Sequence, residues 1–135
     1  SEIYSATSYG EMRREGLECD RWNRLHPSKA AKQPWIEQML GTGDVPVIAV
    51  SDNMAAVPDM IRQWVGGHFT VLGTDGFGRS DTREALRRFF EIDGKAVALA
   101  ALSALVRDGS IDASVYEKAE KEFGISTERE DITEI

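Results

Sequence analysis

Residues 45–73 read VPVIAVSDNMAAVPDMIRQWVGGHFTVLG. Short apolar runs open and close this segment at residues 45–51 and 69–73, and such runs are typical of strands that helices cover on both faces. Between them, apolar side chains recur at helical spacing: Val57, Met60, Ile61, Trp64 and Val65. We therefore predict a helix with Pro58 in its first turn. A strand, a helix and a second strand in this order indicate an α/β fold with a parallel sheet.

The residues before this unit predict one weak strand and two helices. The strand covers residues 2–7, where the apolar pattern is poor. Ser8 and Glu11 form a capping-box pattern that predicts the start of a helix, and Pro27 stops regular structure after it. A second, short helix is predicted at residues 34–40, with a proline in its first turn.

Three more helices are predicted after the second strand of the unit. Each begins at an aspartate that can cap free N–H groups: Asp81, Asp93 and Asp112. Gly109 and Gly124 stand where left-handed residues would end the last two helices. The helix at residues 95–108 is apolar nearly all round, so we expect it to be buried against other elements.

The charge of the chain argues against a nucleic-acid surface. The formal net charge is −7, whereas phosphate binding needs clustered lysine and arginine. Part of the acid excess lies in residues 126–135, where four acids and one arginine give −3. We therefore predict an acidic, flexible tail there.

Membrane insertion and secretion are not indicated either. The longest apolar run, residues 96–106, is shorter than the ~20 residues that a membrane-spanning helix needs. The N-terminus lacks the pattern of a signal peptide, and a single cysteine, Cys19, cannot form an internal disulfide. We expect a protein of the reducing cytoplasm.

The glycine-rich turn after the second strand is the first candidate site. It joins a strand to a helix, and the N–H groups at a helix N-terminus can bind an anion. Its candidate interaction or anion-binding residues are Thr74, Asp75, Gly76, Gly78, Arg79, Ser80 and Arg83. The turn lacks the Gly-Lys-Ser/Thr ending of a P-loop, and Asp75 places negative charge where a phosphate would lie. A tight strand-to-helix connection therefore competes with a ligand loop, and the first interpretation is favoured.

The other candidate side chains are better explained by structure than by chemistry. His26 and His68 have no second histidine, cysteine or carboxylate at metal-ligand spacing, and Cys19 reads as an inert thiol. The tryptophans lie at core-like positions: Trp22, Trp35 and Trp64. With no nucleophile–base pair in the sequence, we predict no catalytic, cofactor-binding or metal-binding residue in this segment.

Four blocks of the sequence carry a resemblance to a known family. They are residues 3–16 (IYSATSYGEMRREG), 21–27 (RWNRLHP), 47–54 (VIAVSDNM) and 72–93 (LGTDGFGRSDTREALRRFFEID). In this order they resemble the C-terminal region of the homodimeric pyruvate dehydrogenases, which are transketolase-like enzymes. The resemblance extends from residue 3 to about residue 125.

The resemblance implies a fold and a domain organisation. It implies a three-layer α/β/α domain of the transketolase C-terminal type with a mostly parallel sheet, of which residues 1–125 are a part and residues 126–135 the tail. In this family two further strands precede the segment, so the chain looks truncated at its N-terminal side. One missing strand would lie between residues 2–7 and 45–51. We expect the missing part to be supplied by another chain or fragment, or the pairing to be rearranged.

The resemblance also implies a function for the parent enzyme. Such enzymes decarboxylate pyruvate on thiamine diphosphate with magnesium and then acetylate the lipoyl group of dihydrolipoyl acetyltransferase. Their cofactor is held through a Gly-Asp-Gly motif and an asparagine pair, which Asp75-Gly76 only echoes, since Asn23 and Asn53 are far apart in the sequence. This segment is therefore expected to be a non-catalytic scaffold that stabilises the homodimer.

Two alternatives to the scaffold role remain open at this stage. An interaction module could dock another component of the complex through Arg79 and Arg83. A self-sufficient phosphate binder could use the turn at residues 74–80.

Overall fold

The computed structural model describes residues 1–41, 43–76, 80–125 and 128. Within them the chain forms helices α1 (Tyr9–Leu25) and α2 (Trp35–Leu40), strand β1 (Val47–Val50), helix α3 (Ala56–Asp59), a 3-10 helix (Arg62–Trp64), strand β2 (Phe69–Leu72), and helices α4 (Arg83–Phe89), α5 (Gly94–Arg107) and α6 (Ala113–Phe123). The predicted α/β class is confirmed. Of the predicted acidic tail at residues 126–135, all but Glu128 lies outside the described residues.

The two strands pair in parallel, as the strand–helix–strand pattern predicts. Val47 lies opposite Phe69 and Val50 lies opposite Leu72. Because side chains alternate along a strand, Val47 and Ala49 face the same side of the sheet as Phe69 and Val71. This alternation gives the sheet two faces, which other elements cover to different extents.

The first face is covered by a compact core. Its buried members are Ile36, Ile61, Trp64, Val65 and Phe69, and side chains of α1, α2 and both strands pack against them. Gly16 of α1 lies directly against the Trp64 ring, where an added Cβ would come within 2.6 Å of a ring atom. The helix can approach the tryptophan this closely only because residue 16 has no side chain.

The second face is covered less completely. Helix α5 packs against β1 and against α6, and contributes no residue to the core on the first face. We infer from this that α5 lies on the opposite side of the sheet, in an arrangement of three layers. The helix packs against other elements as predicted, but among the described residues only Leu99 and Ala104 of α5 are buried. Its apolar surface exceeds what the described neighbours can cover.

The helix starts follow the capping chemistry of the sequence. The side chains of Ser8, Asp93 and Asp112 accept hydrogen bonds from backbone N–H groups at the starts of α1, α5 and α6. Gly124 ends α6 in the left-handed conformation. At α4 the cap is Thr82 rather than Asp81, because the hydroxyl of Thr82 accepts from the Ala85 N–H and Asp81 binds the Thr82 N–H instead.

Two predicted elements differ from the structure. Residues 2–7 form no strand, and Ile3 in their middle is 94% exposed, because no described strand lies beside them to pair with. The helix predicted between the strands is broken into α3 and the 3-10 helix, since Ile61 leaves the helical region at φ −100° and ψ 1°. Pro58 lies in α3, but Met60 is exposed instead of facing the core.

The tryptophans also separate into different environments. Trp64 is 6% exposed in the core, whereas Trp35 is 51% exposed and lies on the solvent side of α2. The prediction that Trp35 belongs to the core is therefore wrong, because α2 turns Ile36 inward instead. Among the described residues, no helix has both the length and the apolar character to cross a membrane.

Candidate functional site

The glycine-rich turn lies at the carboxyl ends of both strands. The Ser51 N–H donates to the Leu72 oxygen at 2.9 Å, so the loops that follow β1 and β2 leave the sheet side by side. In open α/β sheets, ligands bind beyond the carboxyl ends of the strands. The turn is thus at the position where a site is expected.

Most polar groups at the start of the turn are used within the protein. The Thr74 N–H donates to the Asn53 oxygen at 2.9 Å, and the Thr74 hydroxyl donates to the Asp52 oxygen at 2.8 Å. A Cβ at Gly73 would lie 2.6 Å from the Ala55 nitrogen, so only glycine permits this approach of the two loops. These hydrogen bonds and the close approach at Gly73 bind the turn to the loop after β1.

The Asp75 carboxylate already binds the backbone N–H group that a bound anion would need as a donor. Its Oδ1 accepts a hydrogen bond from the Ala55 N–H at 3.0 Å, and Ala55 is the cap residue of α3. The carboxylate therefore satisfies a free N–H at the start of α3, as a bound phosphate would elsewhere. This geometry favours the connecting role of the turn over the binding of a phosphate.

Three of the remaining candidates of the turn are described: Gly76, Ser80 and Arg83. Gly76 adopts φ 100°, a conformation that glycine accepts readily, whereas Gly78 and Arg79 lie outside the described residues. Ser80 and Arg83 are exposed, and Arg83 is the first residue of α4. In the described part of the chain Arg83 forms no ion pair, while Arg88 of the same helix lies 3.5 Å from Glu84.

The histidines and the cysteine have structural surroundings. The His26 ring stacks on Trp22 with centroids 4.4 Å apart, and its Nδ1 donates to the Trp22 oxygen at 2.8 Å. His68 is exposed, and its backbone oxygen accepts from the Val47 N–H. Burial, followed by the hydrogen bond to Glu15, raises the pKa of the Cys19 thiol, which keeps it protonated and agrees with an inert thiol.

The structure also reveals two arrangements that sequence spacing did not suggest. Asp20 accepts hydrogen bonds from the indole N–H of Trp64 at 3.2 Å and from the Gln63 side chain at 2.9 Å, which connects α1 to the 3-10 helix. Near the end of α1, Asn23 forms two hydrogen bonds with the backbone of Lys32. Both join residues that are distant in sequence, so no local pattern could have indicated them.

The described residues do not fit a thiamine diphosphate–magnesium site. Asp75 of the Asp-Gly echo already accepts from the Ala55 N–H. Within residues 1–41, 43–76, 80–125 and 128, histidine, cysteine and carboxylate side chains form no group of three that could hold a metal ion. We therefore derive no catalytic step through that cofactor.

Comparison with known proteins places the chain in a family. Residues 1–93 match the family of the transketolase-like TK C-terminal domain. The chain belongs to this family. The transketolase C-terminal-like fold agrees with the small parallel sheet and the helices that surround it.

Relatives of this transketolase C-terminal-like domain occur in longer bacterial enzymes. The pyruvate dehydrogenase E1 component of Pseudomonas aeruginosa is 48% identical over 130 residues, which are 96% of this chain and 15% of that protein. The protein of the same name from Mycolicibacterium smegmatis is 47% identical over 93% of this chain and 14% of its own length. That from Escherichia coli K12 is 42% identical over 96% of this chain and 14% of its own length.

These matches cover nearly all of this chain but only a small part of each relative. The chain spans about 15% of the length of the curated relatives that it matches, and the match is to their C-terminal region.

Proposed function

We propose that this chain is the C-terminal structural segment of a pyruvate dehydrogenase. In this proposal the whole enzyme decarboxylates pyruvate on thiamine diphosphate with magnesium and acetylates the lipoyl group of dihydrolipoyl acetyltransferase. It does so as a cytoplasmic homodimer. The segment supplies packing surface, and the catalytic side chains come from the rest of the enzyme.

The observation that carries this proposal is the identity to named relatives. It amounts to 42–48% across nearly the whole chain, in proteins called pyruvate dehydrogenase E1 component. The turn after β2 supports the structural role, since the side chains of Thr74 and Asp75 form hydrogen bonds with the loop after β1. Asp93 and Asp112 likewise serve as helix caps.

The second face of the sheet, which is covered less completely than the first, supports packing against the remainder of the enzyme. Val50 at the end of β1 is 43% exposed, Met54 in the following loop is exposed, and each strand has one edge that no described strand pairs. An unpaired strand edge and exposed apolar side chains favour association with another polypeptide. In our proposal this polypeptide is the remainder of the parent enzyme.

Complementation in trans tests this proposal. The Pseudomonas aeruginosa relative would be expressed without the 130 residues that align, with and without this chain, and pyruvate-dependent lipoyl acetylation would be measured. We expect activity only when the chain is present. Equal activity without it would contradict the structural role.

Matched substitutions in the chain sharpen this experiment. Val50→Asp places a charge on the second face of the sheet, at a residue that is 43% exposed. Val115→Asp places the same charge on α6, at a residue that is 45% exposed. We expect Val50→Asp to abolish complementation and Val115→Asp to retain it, with unchanged circular dichroism of both variants. Retained complementation by Val50→Asp would contradict packing through this face.

A calorimetric titration tests whether thiamine diphosphate binds to this segment or to the rest of the enzyme. The chain alone should bind no thiamine diphosphate in the presence of magnesium, whereas the complemented enzyme should bind it. Tight magnesium-dependent binding to the chain alone would overturn the assignment of the cofactor site to the rest of the enzyme.

Docking of another complex component at the start of α4 is the second candidate role. The exposed, unpaired position of Arg83 within the described residues favours it. An Arg79→Ala, Arg83→Ala double variant of the complemented enzyme should then bind dihydrolipoyl acetyltransferase less tightly in a pull-down. Unchanged binding would remove this role.

A further inference from the structure

An uncompensated basic surface lies at the end of α1 and in the loop after it. Residues 21–32 contain four cations and no acidic residue: Arg21, Arg24, Lys29 and Lys32. Since the whole chain carries −7, the other 123 residues carry −11. Positive charge is therefore concentrated in one short segment of an acidic protein.

These four cations are free to meet a partner. All four are exposed, and in the described part of the chain none of them forms an ion pair, in contrast to Arg14 and Arg62. The acidic residues that precede the segment are engaged elsewhere. Glu18 pairs with Arg14 at 2.8 Å, and Asp20 accepts from Trp64 and Gln63.

The loop that carries Lys32 is held in a defined conformation. The Lys32 N–H donates to Asn23 Oδ1 at 2.7 Å, and Asn23 Nδ2 donates to the Lys32 oxygen at 2.9 Å. The Lys32 ammonium lies 4.5 Å from the centroid of the Trp22 ring, on which His26 also stacks. A positioned cation loses less conformational entropy on binding than a mobile one does.

Taken together, these features identify an interaction surface. We propose that Arg21, Arg24, Lys29 and Lys32 form a docking surface for an acidic segment of another polypeptide. The partner is a stretch of chain rich in aspartate and glutamate, recognised by complementary charge.

The geometry favours an acidic polypeptide over other anions. The four cations are exposed and follow one another along residues 21–32, an order that suits an extended chain of carboxylates better than a single small anion. A nucleic acid would gain from stacking its bases on aromatic rings, but Trp22 is already covered by His26 and Lys32.

Fluorescence anisotropy with defined probes tests the proposal on the full chain. The probe is a labelled twelve-residue peptide of alternating glutamate and serine, and the control probe has glutamine in place of glutamate. We expect saturable binding of the glutamate peptide that weakens as salt rises, and no binding of the glutamine peptide. Equal binding of both peptides, or none of either, would overturn the proposal.

Two triple variants locate the binding. Arg24→Gln, Lys29→Gln, Lys32→Gln removes three cations of the surface, while Arg87→Gln, Lys118→Gln, Lys121→Gln removes three exposed cations from α4 and α6, and each leaves a net charge of −10. We expect about tenfold weaker binding for the first variant and less than a twofold change for the second. Equal loss in both would mean that net charge, and not this surface, attracts the peptide.

A further variant and probe complete the test. Asn23→Ala keeps every cation but removes the hydrogen bonds that hold the Lys32 loop, so it should bind about threefold more weakly. Circular dichroism shows whether each variant is folded. Single-stranded DNA should bind more weakly than the glutamate peptide at equal salt. Tighter binding of DNA would overturn the assignment to an acidic polypeptide.

Discussion

The two faces of the small sheet differ in how completely the chain covers them. The first face lies under a core in which Ile61, Trp64 and Phe69 are buried. The second face lies under α5, an apolar helix with Leu99 at 7% exposure but with most of its side chains only half-buried. A strongly apolar helix is thus left half-buried, because burial depends on the number of neighbouring elements and not on the helix alone.

The largest expected effect of a substitution is on the covered face. Trp64→Ala should lower the free energy of unfolding by about 3–5 kcal/mol, since it empties a packed position and removes the hydrogen bond to Asp20. Urea denaturation measures this. Trp35→Ala is the matched control on the exposed side of α2 and should cost less than about 1 kcal/mol. Similar losses in the two variants would contradict the assignment of the core.

A smaller effect is expected where α1 approaches the core. Gly16→Ala forces a Cβ into the Trp64 ring and should cost about 1–3 kcal/mol of stability, although alanine favours helices. In the same helix, a Cβ at Gly10 would meet only Ser8 Oγ at 3.9 Å. Gly10→Ala should therefore leave thermal stability unchanged or raise it. If Gly16→Ala raised the melting temperature as well, the close approach of α1 to Trp64 would be refuted.

The turn at the carboxyl ends of the strands should show a further, smaller effect. Asp75→Ala leaves the Ala55 N–H without its acceptor and should cost about 1 kcal/mol of stability. Asp75→Asn retains an acceptor oxygen and should recover part of the loss. A gain of phosphate binding by Asp75→Asn would show that the turn is a ligand loop from which the carboxylate excludes anions.

The smallest effect is expected at the start of α6, next to α5. Hydrogen bonds from the Ser114 side chain and then from its backbone N–H lower the pKa of Asp112. Because the folded-state pKa lies below the unfolded value, this contribution is complete above the unfolded pKa and is lost as pH falls through the folded pKa. Asp112→Asn should thus be slightly less stable than the parent chain at pH 7, and the difference should disappear once the pH falls below the folded-state pKa of Asp112. A difference independent of pH would disprove this origin.

Local chemistry made much of the fold predictable from the sequence. The sequence predicts strands β1 and β2, their parallel pairing and the caps at Ser8, Asp93 and Asp112, whereas the strand predicted at residues 2–7 does not form. The position of Thr82 as the cap of α4 did not, because Asp81 and Thr82 are both suitable and only the geometry of the turn selects between them.

Properties that depend on distant neighbours were not predictable. Trp35 and Trp64 both stand at positions that the sequence suggests for the core, but only Trp64 is buried, with α1 packed against its ring. The connection of Asn23 to Lys32 is formed by a folded loop, which no periodicity reveals. For the candidate site, the sequence indicated the turn, but the contact of Asp75 with Ala55 required the structure.

Hydrogen–deuterium exchange tests most directly whether the two faces of the sheet are covered to different extents. It would compare the chain alone with the chain bound to the complementing part of the Pseudomonas aeruginosa relative. The account predicts added protection at β1 and α5 in the complex, and unchanged protection around Ile61 and Trp64, which the chain already covers. Unchanged exchange at β1 and α5 in an active complex would contradict the claim that the second face is completed by the remainder of the enzyme.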